Sequence, residues 1–272
     1  MEKITLKPTE QINDDINIDP STLISTLEIA KDKDVEDTLF VEEIIRKSRE
    51  HFQPSPESIK QLEEASIFLP HKIDILLAST GDKPAALIFL NSDEWEPGEE
   101  EKNISPEGDE ELRAIAEALG LHICNKDDVF MFDSGGGQKF RMYMVSRSID
   151  TLATLATIED EGIDHGNGIR RDRLLGKLLG YPETATDAFV AGTAIGDKDA
   201  GIHDLEAIAF GQFAYSSDPD NIGLELETVH AWAKKVEKIS PRLYRQRLDQ
   251  LAEVLDNEGY AFHQPSEITE KI

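Results

Sequence analysis

A chain of 272 residues, 39% hydrophobic and 31% charged, has the composition of a folded globular protein and enough length to bury a hydrophobic core. Its formal net charge of -27 opposes general nucleic-acid binding, because duplex affinity comes mainly from cations that neutralise phosphates. The single cysteine, Cys124, excludes an intramolecular disulfide framework and multi-cysteine metal sites. No apolar run approaches the ~18 residues of a membrane span, and the opening residues lack the apolar core of a secretory signal. The expectation is a cytoplasmic protein without membrane association.

Residues 1–20 are polar, lack a period and close on Pro20, and they read as a flexible arm. A helical N-terminal region is expected over 21–70. Within it Val35, Leu39, Val41, Ile44, Ile45 and Ser48 fall near helical spacing. A further helix opens at Ser55, the N-cap, with Pro56 in the first helical position. The same Ser-Pro punctuation at Ser105-Pro106 and Ser240-Pro241 marks two more helix starts.

The region 71–147 is expected to contain the sheet. The apolar runs 72–78 and 84–90, joined by "STGDK", predict a hairpin. An acidic run follows: residues 93–111 hold ten acids and one lysine, a net of -9, with no apolar period, and 93–108 should form a loop. Leu112, Ile115, Ala116 and Leu119 then define a helix closed by Gly120. "LHIC" and "VFMFD" read as strands, and the first implies a buried, unreactive Cys124. From Phe140 to Val145 the residues alternate, with Phe140, Met142 and Met144 on one face and Arg141, Tyr143 and Val145 on the other. The glycines of "DSGGGQK" join two predicted strands, so they form a hairpin loop and not the strand-to-helix turn that a phosphate loop requires. A mixed or antiparallel sheet with one covering helix is expected.

The region 148–264 reads as helical, and 265–272 as a frayed tail. Ser148 caps one helix; another begins near Ile169, with Leu174, Leu175, Leu178 and Leu179 on its buried side. Gly180 ends that helix, Pro182 starts the next, and Ala185, Ala188 and Phe189 continue the core. Helical patterns recur near 201–215, over 226–239 and from Ser240 onward. The fold class is therefore α+β, with a central sheet, a helical N-terminal region and a mainly helical C-terminal half.

The corner at 170–190 concentrates the candidate site. Arg170, Arg173 and Lys177 recur at i, i+3 and i+7, which lines three cations along one helix face. They can hold a phosphate or carboxylate, with Tyr181 and Glu183 adding hydrogen bonds; equally, they can form salt bridges to surrounding acids. His165 lies between this helix and the acids Glu159, Asp160, Glu161 and Asp164, so His165 with Glu183 supplies the acid–base candidates. The acidic group lacks a paired-histidine spacing and is not assigned a metal, and no cofactor is specified. Residues 230–247 reverse the background, with six bases and one acid, a net of +5.

The stretch "HGNGIRRDRLLGKLLGYPETATDAF" resembles a motif of uncharacterised prokaryotic proteins. In that motif a histidine precedes G-x-L-L-G-Y-P, followed by small or cysteine residues and a phenylalanine. His165, Gly176, Leu178, Leu179, Gly180, Tyr181, Pro182 and Phe189 match it. The cysteines of some members would fall near Thr184 and Ala185, where this chain has none, so thiol or metal chemistry does not carry over. The resemblance implies that the corner matters and names no reaction. Two functions follow from the residues: a protein that binds, and acts on, an anionic small molecule at 165–183, or a non-enzymatic interaction protein that docks a basic partner on the acidic 93–111 run.

Overall fold

The computed structural model describes residues 36–49, 52–91, 106–133, 136–160 and 168–263. Among them are ten helices and one three-stranded sheet, an α+β arrangement with a helical C-terminal half. In chain order the elements are α1 (Glu36–Ser48), α2 (Pro56–Glu64), α3 (Leu69–Ser79), β1 (Ala85–Asn91), α4 (Pro106–Ala118), β2 (His122–Asp133) and β3 (Gly136–Ser146). There follow α5 (Ile149–Asp160), α6 (Gly168–Leu178), α7 (Glu183–Val190), α8 (Leu205–Phe210), α9 (Pro219–Ile239) and α10 (Pro241–Glu258). No helix of the described residues is long and apolar enough to cross a membrane.

The Ser-Pro starts behave as their chemistry requires. Ser55 accepts a hydrogen bond from the Ser58 amide, and Ser240 accepts one from the Leu243 amide, each ahead of a proline that has no N–H to leave unpaired. Ser148 caps α5 in the same way, through the Thr151 amide.

The run 72–78 is not a strand. It lies in α3, where Ile73, Ile75, Leu76, Leu77 and Ala78 are all buried. A helix enclosed on all sides loses the 3.6-residue contrast between faces, so its sequence mimics a buried strand. The expected hairpin is instead a helix-to-strand turn: Gly81 takes φ 77°, and the Asp82 and Lys83 amides both donate to the Leu77 carbonyl.

The sheet is antiparallel in the order β1-β3-β2. "LHIC" and "VFMFD" belong to one strand, β2, with an irregularity between Lys126 and Val129. Asp133 pairs with Gly136 and Phe132 with Gly137, so β2 and β3 are antiparallel neighbours and these two glycines stand in β3 itself; residues 134–135 of the expected loop lie outside the described residues. The alternation in β3 is real, but both faces are buried. Tyr143 and Val145 join Ala86, Ile88 and Ile123 in a core shared with α3, α4, α9 and α10. Met142 and Met144 join Ala85, Leu152, Leu155 and Leu178 in a second core against α1, α5 and α6. Helices therefore cover both faces rather than one. The sheet and the C-terminal helices also share one core, since Phe210, Trp232 and Leu243 belong to the first cluster.

Three local expectations change. Cys124 is half-buried and packs on the edge of the second core instead of lying within it. Phe189 is 60% exposed and does not continue the core, because α7 turns Ala185, Thr186 and Ala188 inward. Residues 106–108, expected as loop, begin α4. The expected arm at 1–20, the acidic run from 92 to 105 and the tail beyond 263 lie outside the described residues.

Candidate functional site

The α6–α7 corner is closed by a Schellman motif. The Tyr181 amide donates to the Gly176 carbonyl at 2.9 Å and the Gly180 amide to the Lys177 carbonyl at 3.1 Å. Gly180, at φ 76°, occupies the left-handed position that this motif demands. Gly176 has a different reason. A methyl group there would lie 2.4 Å from Thr186 Oγ1 and 2.7 Å from its Cγ2, so glycine is what lets α6 lie against α7. The G-x-L-L-G-Y-P residues thus have packing duties: two glycines shape the corner, and Leu178 and Leu179 are buried beneath it.

The cations of α6 face carboxylates of α7. Arg173 Nε lies 3.0 Å from Asp187 Oδ1, and Lys177 Nζ lies 3.9 Å from Glu183 Oε1. The first pair is about half exposed on both sides (54% and 53%), so it is of the weak surface kind. Glu183 therefore joins Lys177, as the sequence suggested, but as its ion-pair partner. The side chain of Arg170 and the whole of His165 lie outside the described residues, as do the side chains of Glu159 and Asp160 and all of 161–164.

Tyr181 turns to a different neighbourhood. Its ring lies 5.6 Å from that of Phe213 and 5.6 Å from Lys83 Nζ. Burial, with the Asp74 charge adding to it, pushes its hydroxyl far above the usual phenol range. Lys83 is the centre of this cluster. It is 2% exposed, donates to Asp74 Oδ1 and to Gln212 Oε1, and sits 4.5 Å from the centre of the Trp232 ring. Arg247 reaches in from α10, its Nε donating to the Ala209 carbonyl at 2.8 Å; burial lowers its pKa, and the Asp74 charge partly offsets that. A buried ammonium is tolerable only with such partners. One lysine thereby ties the turn before β1 to α3, the corner, α9 and the 211–213 segment.

A buried carboxylate makes a similar tie nearby. Glu225, 0% exposed, accepts from Thr184 Oγ1 at 2.6 Å and from the Ser216 amide at 2.9 Å, which joins α7 to α9 and the 215–216 segment. A third polar group, His230 with Asp204, links α9 to the N-cap of α8 at 2.6 Å. Among the described residues, no three His, Cys, Asp or Glu side chains are arranged to hold a metal ion.

No protein-family model, curated protein or solved structure matches the chain. The geometry therefore stands alone. It brings Lys177 and Glu183 together, gives Arg173 the partner Asp187, and directs Tyr181 toward Lys83 instead of toward the α6 cations. Lys83, Asp74, Gln212 and Trp232 carry no signal in the sequence, since a lone lysine between two apolar runs looks like a turn residue.

Proposed function

We propose that the protein is a non-enzymatic interaction protein that docks a basic partner on its acidic 93–111 run. The observation that supports it most is the distribution of charge. The described corner cations Arg173 and Lys177 face carboxylates of α7, whereas the sequence of 93–111 holds ten acids against one lysine. The run begins two residues after β1 and ends inside α4, where Asp109 pairs with Arg113 and Glu111 accepts from the Ser66 amide, which leaves the acids of 93–107 for a partner. The proposed setting is cytoplasmic. The test is a fluorescence-anisotropy titration of labelled deca-lysine into the full chain and into a variant with Asp93, Glu94, Glu96, Glu99, Glu100 and Glu101 changed to their amides. Salt-sensitive binding that the variant loses supports the proposal; equal affinity of the two proteins refutes it.

A second reading is an anionic small molecule held by Arg170, Arg173, Lys177 and Tyr181, with His165 and Glu183 for acid–base chemistry. One observation favours it: the Lys177–Glu183 separation is 3.9 Å and the Arg173–Asp187 pair is half exposed, so an incoming anion has weak pairs to displace. Its test is a phosphate-dependent gain in stability that Arg173→Ala removes.

A further inference from the structure

The basic stretch 230–247 has its own place in the fold. It forms the end of α9, the Ser240 corner and the start of α10. Two of its cations serve the interior: Lys235 pairs with Asp82 at 3.2 Å, and Arg247 reaches the Ala209 carbonyl. Lys234, Lys238 and Arg245 are exposed, and among the described residues none has a carboxylate within ion-pair distance.

Their arrangement is organised. Lys234 and Lys238 are one turn apart on the same face of α9. Arg245 folds back toward the corner, its Nε donating to the Pro241 carbonyl at 3.2 Å. The corner itself is fixed: Ser240, fully buried, donates to Glu63 Oε1 at 2.6 Å, and Arg242 lies 3.8 Å from the other Glu63 oxygen. No acid stands in the first turn of α10, where the helix dipole would favour one. Three exposed cations of the α9–α10 segment thus have no carboxylate partner among the described residues, in a protein of net charge -27.

We propose that the α9–α10 corner is a docking surface for an acidic peptide segment of a partner protein, gripped by Lys234, Lys238 and Arg245. An acidic peptide fits better than a duplex or an anionic bilayer. Dense phosphate arrays meet the repulsion of the whole surface, whereas a short peptide touches only the corner. At physiological ionic strength the Debye length is about 8 Å, so the distant acids are screened while contact pairs are not. The guanidinium of Arg245 can take a carboxylate with two parallel hydrogen bonds.

The experiment titrates labelled deca-glutamate into the full chain at physiological ionic strength. The comparison proteins are Lys234→Glu/Lys238→Glu/Arg245→Glu and a control, Lys198→Glu, at an exposed lysine elsewhere. The wild type and the control should bind alike, and the triple variant about tenfold more weakly, with its circular dichroism unchanged. If the triple variant misfolds, Lys234→Gln/Lys238→Gln takes its place with a smaller loss in the same direction. No binding by the wild type, or equal binding by the variants, overturns the proposal. So does a short DNA duplex or a phosphatidylserine vesicle that binds more tightly through the same three residues.

Discussion

Replacing Gly176 by alanine should destabilise the protein, although alanine is the better helix former. The new Cβ would stand 2.4 Å from Thr186 Oγ1, 2.7 Å from Cγ2 and 3.1 Å from Cβ, and contacts under 3.0 Å require α6 and α7 to separate or Thr186 to shift. Thr186 is buried and has little room to move. With two contacts under 3.0 Å against a buried side chain, the overpacking cost falls at about 2–3 kcal/mol, and a propensity gain of ~1 kcal/mol leaves a net loss of about 1–2 kcal/mol. Among the described residues the Thr186 hydroxyl has no hydrogen-bond partner, so Thr186→Ala removes the two closest clashing atoms without breaking a bond there. In Gly176→Ala/Thr186→Ala the 3.1 Å contact remains and needs a shift of only a few tenths of an ångström. The double variant should therefore be more stable than Gly176→Ala alone, with a coupling of ~1 kcal/mol. Urea unfolding of the four proteins measures this from the midpoints at unchanged slope. Gly176→Ala as stable as the wild type would refute the close crossing of α6 and α7.

Lys83→Met should be among the most damaging single changes, at about 3 kcal/mol, because it leaves Asp74 and Gln212 without their donor; urea unfolding that shifts by under ~1 kcal/mol would contradict this. The His230–Asp204 pair predicts a pH profile. The Asp204 hydrogen bond holds His230 above its ordinary 6.5, so that stabilisation is full below 6.5 and fades as pH rises through the raised value. Burial raises Asp204, but the His230 bond and charge and the backbone amides outweigh it and leave it below its ordinary 3.8. Its stabilisation is full above 3.8 and fades as pH falls through the depressed value. Urea midpoints of His230→Gln and wild type should thus differ most between pH 3.8 and 6.5; a pH-independent difference would exclude the linkage.

The elements bounded by local chemistry were legible in the sequence. Ser55, Ser148 and Ser240 cap helices through short side chains three residues from the amides they satisfy, and Gly180 ends α6 for a reason contained in six residues. Positions that depend on distant partners were not. The 72–78 run reads as strand or helix alike until its surroundings are known, and only the fold shows it enclosed on every side. Phe189 sits at a plausible core spacing, yet eight residues of α7 leave room for one buried face, which Ala185 and Ala188 fill. Lys83 meets Gln212 across 129 positions, and no local pattern encodes such a contact. For the candidate site, spacing gave the cation face of α6; that its exposed partners would be Asp187 and Glu183 depended on how α7 returns after the corner.

Thermal unfolding with and without phosphate decides whether the corner cations join α6 to α7 or wait for an anion. Wild type and Arg173→Ala are melted at constant ionic strength, in phosphate and in a buffer without it. If Arg173 is paired with Asp187, its loss should cost up to about 1 kcal/mol, reduced by the exposure of both groups, and phosphate should move the two proteins equally or not at all. If the corner is instead an anion site, phosphate at ~100 times its dissociation constant should stabilise the wild type by about 2.7 kcal/mol. A phosphate-dependent rise in melting temperature that Arg173→Ala abolishes would show that Arg173 serves an anion and not the joint between α6 and α7.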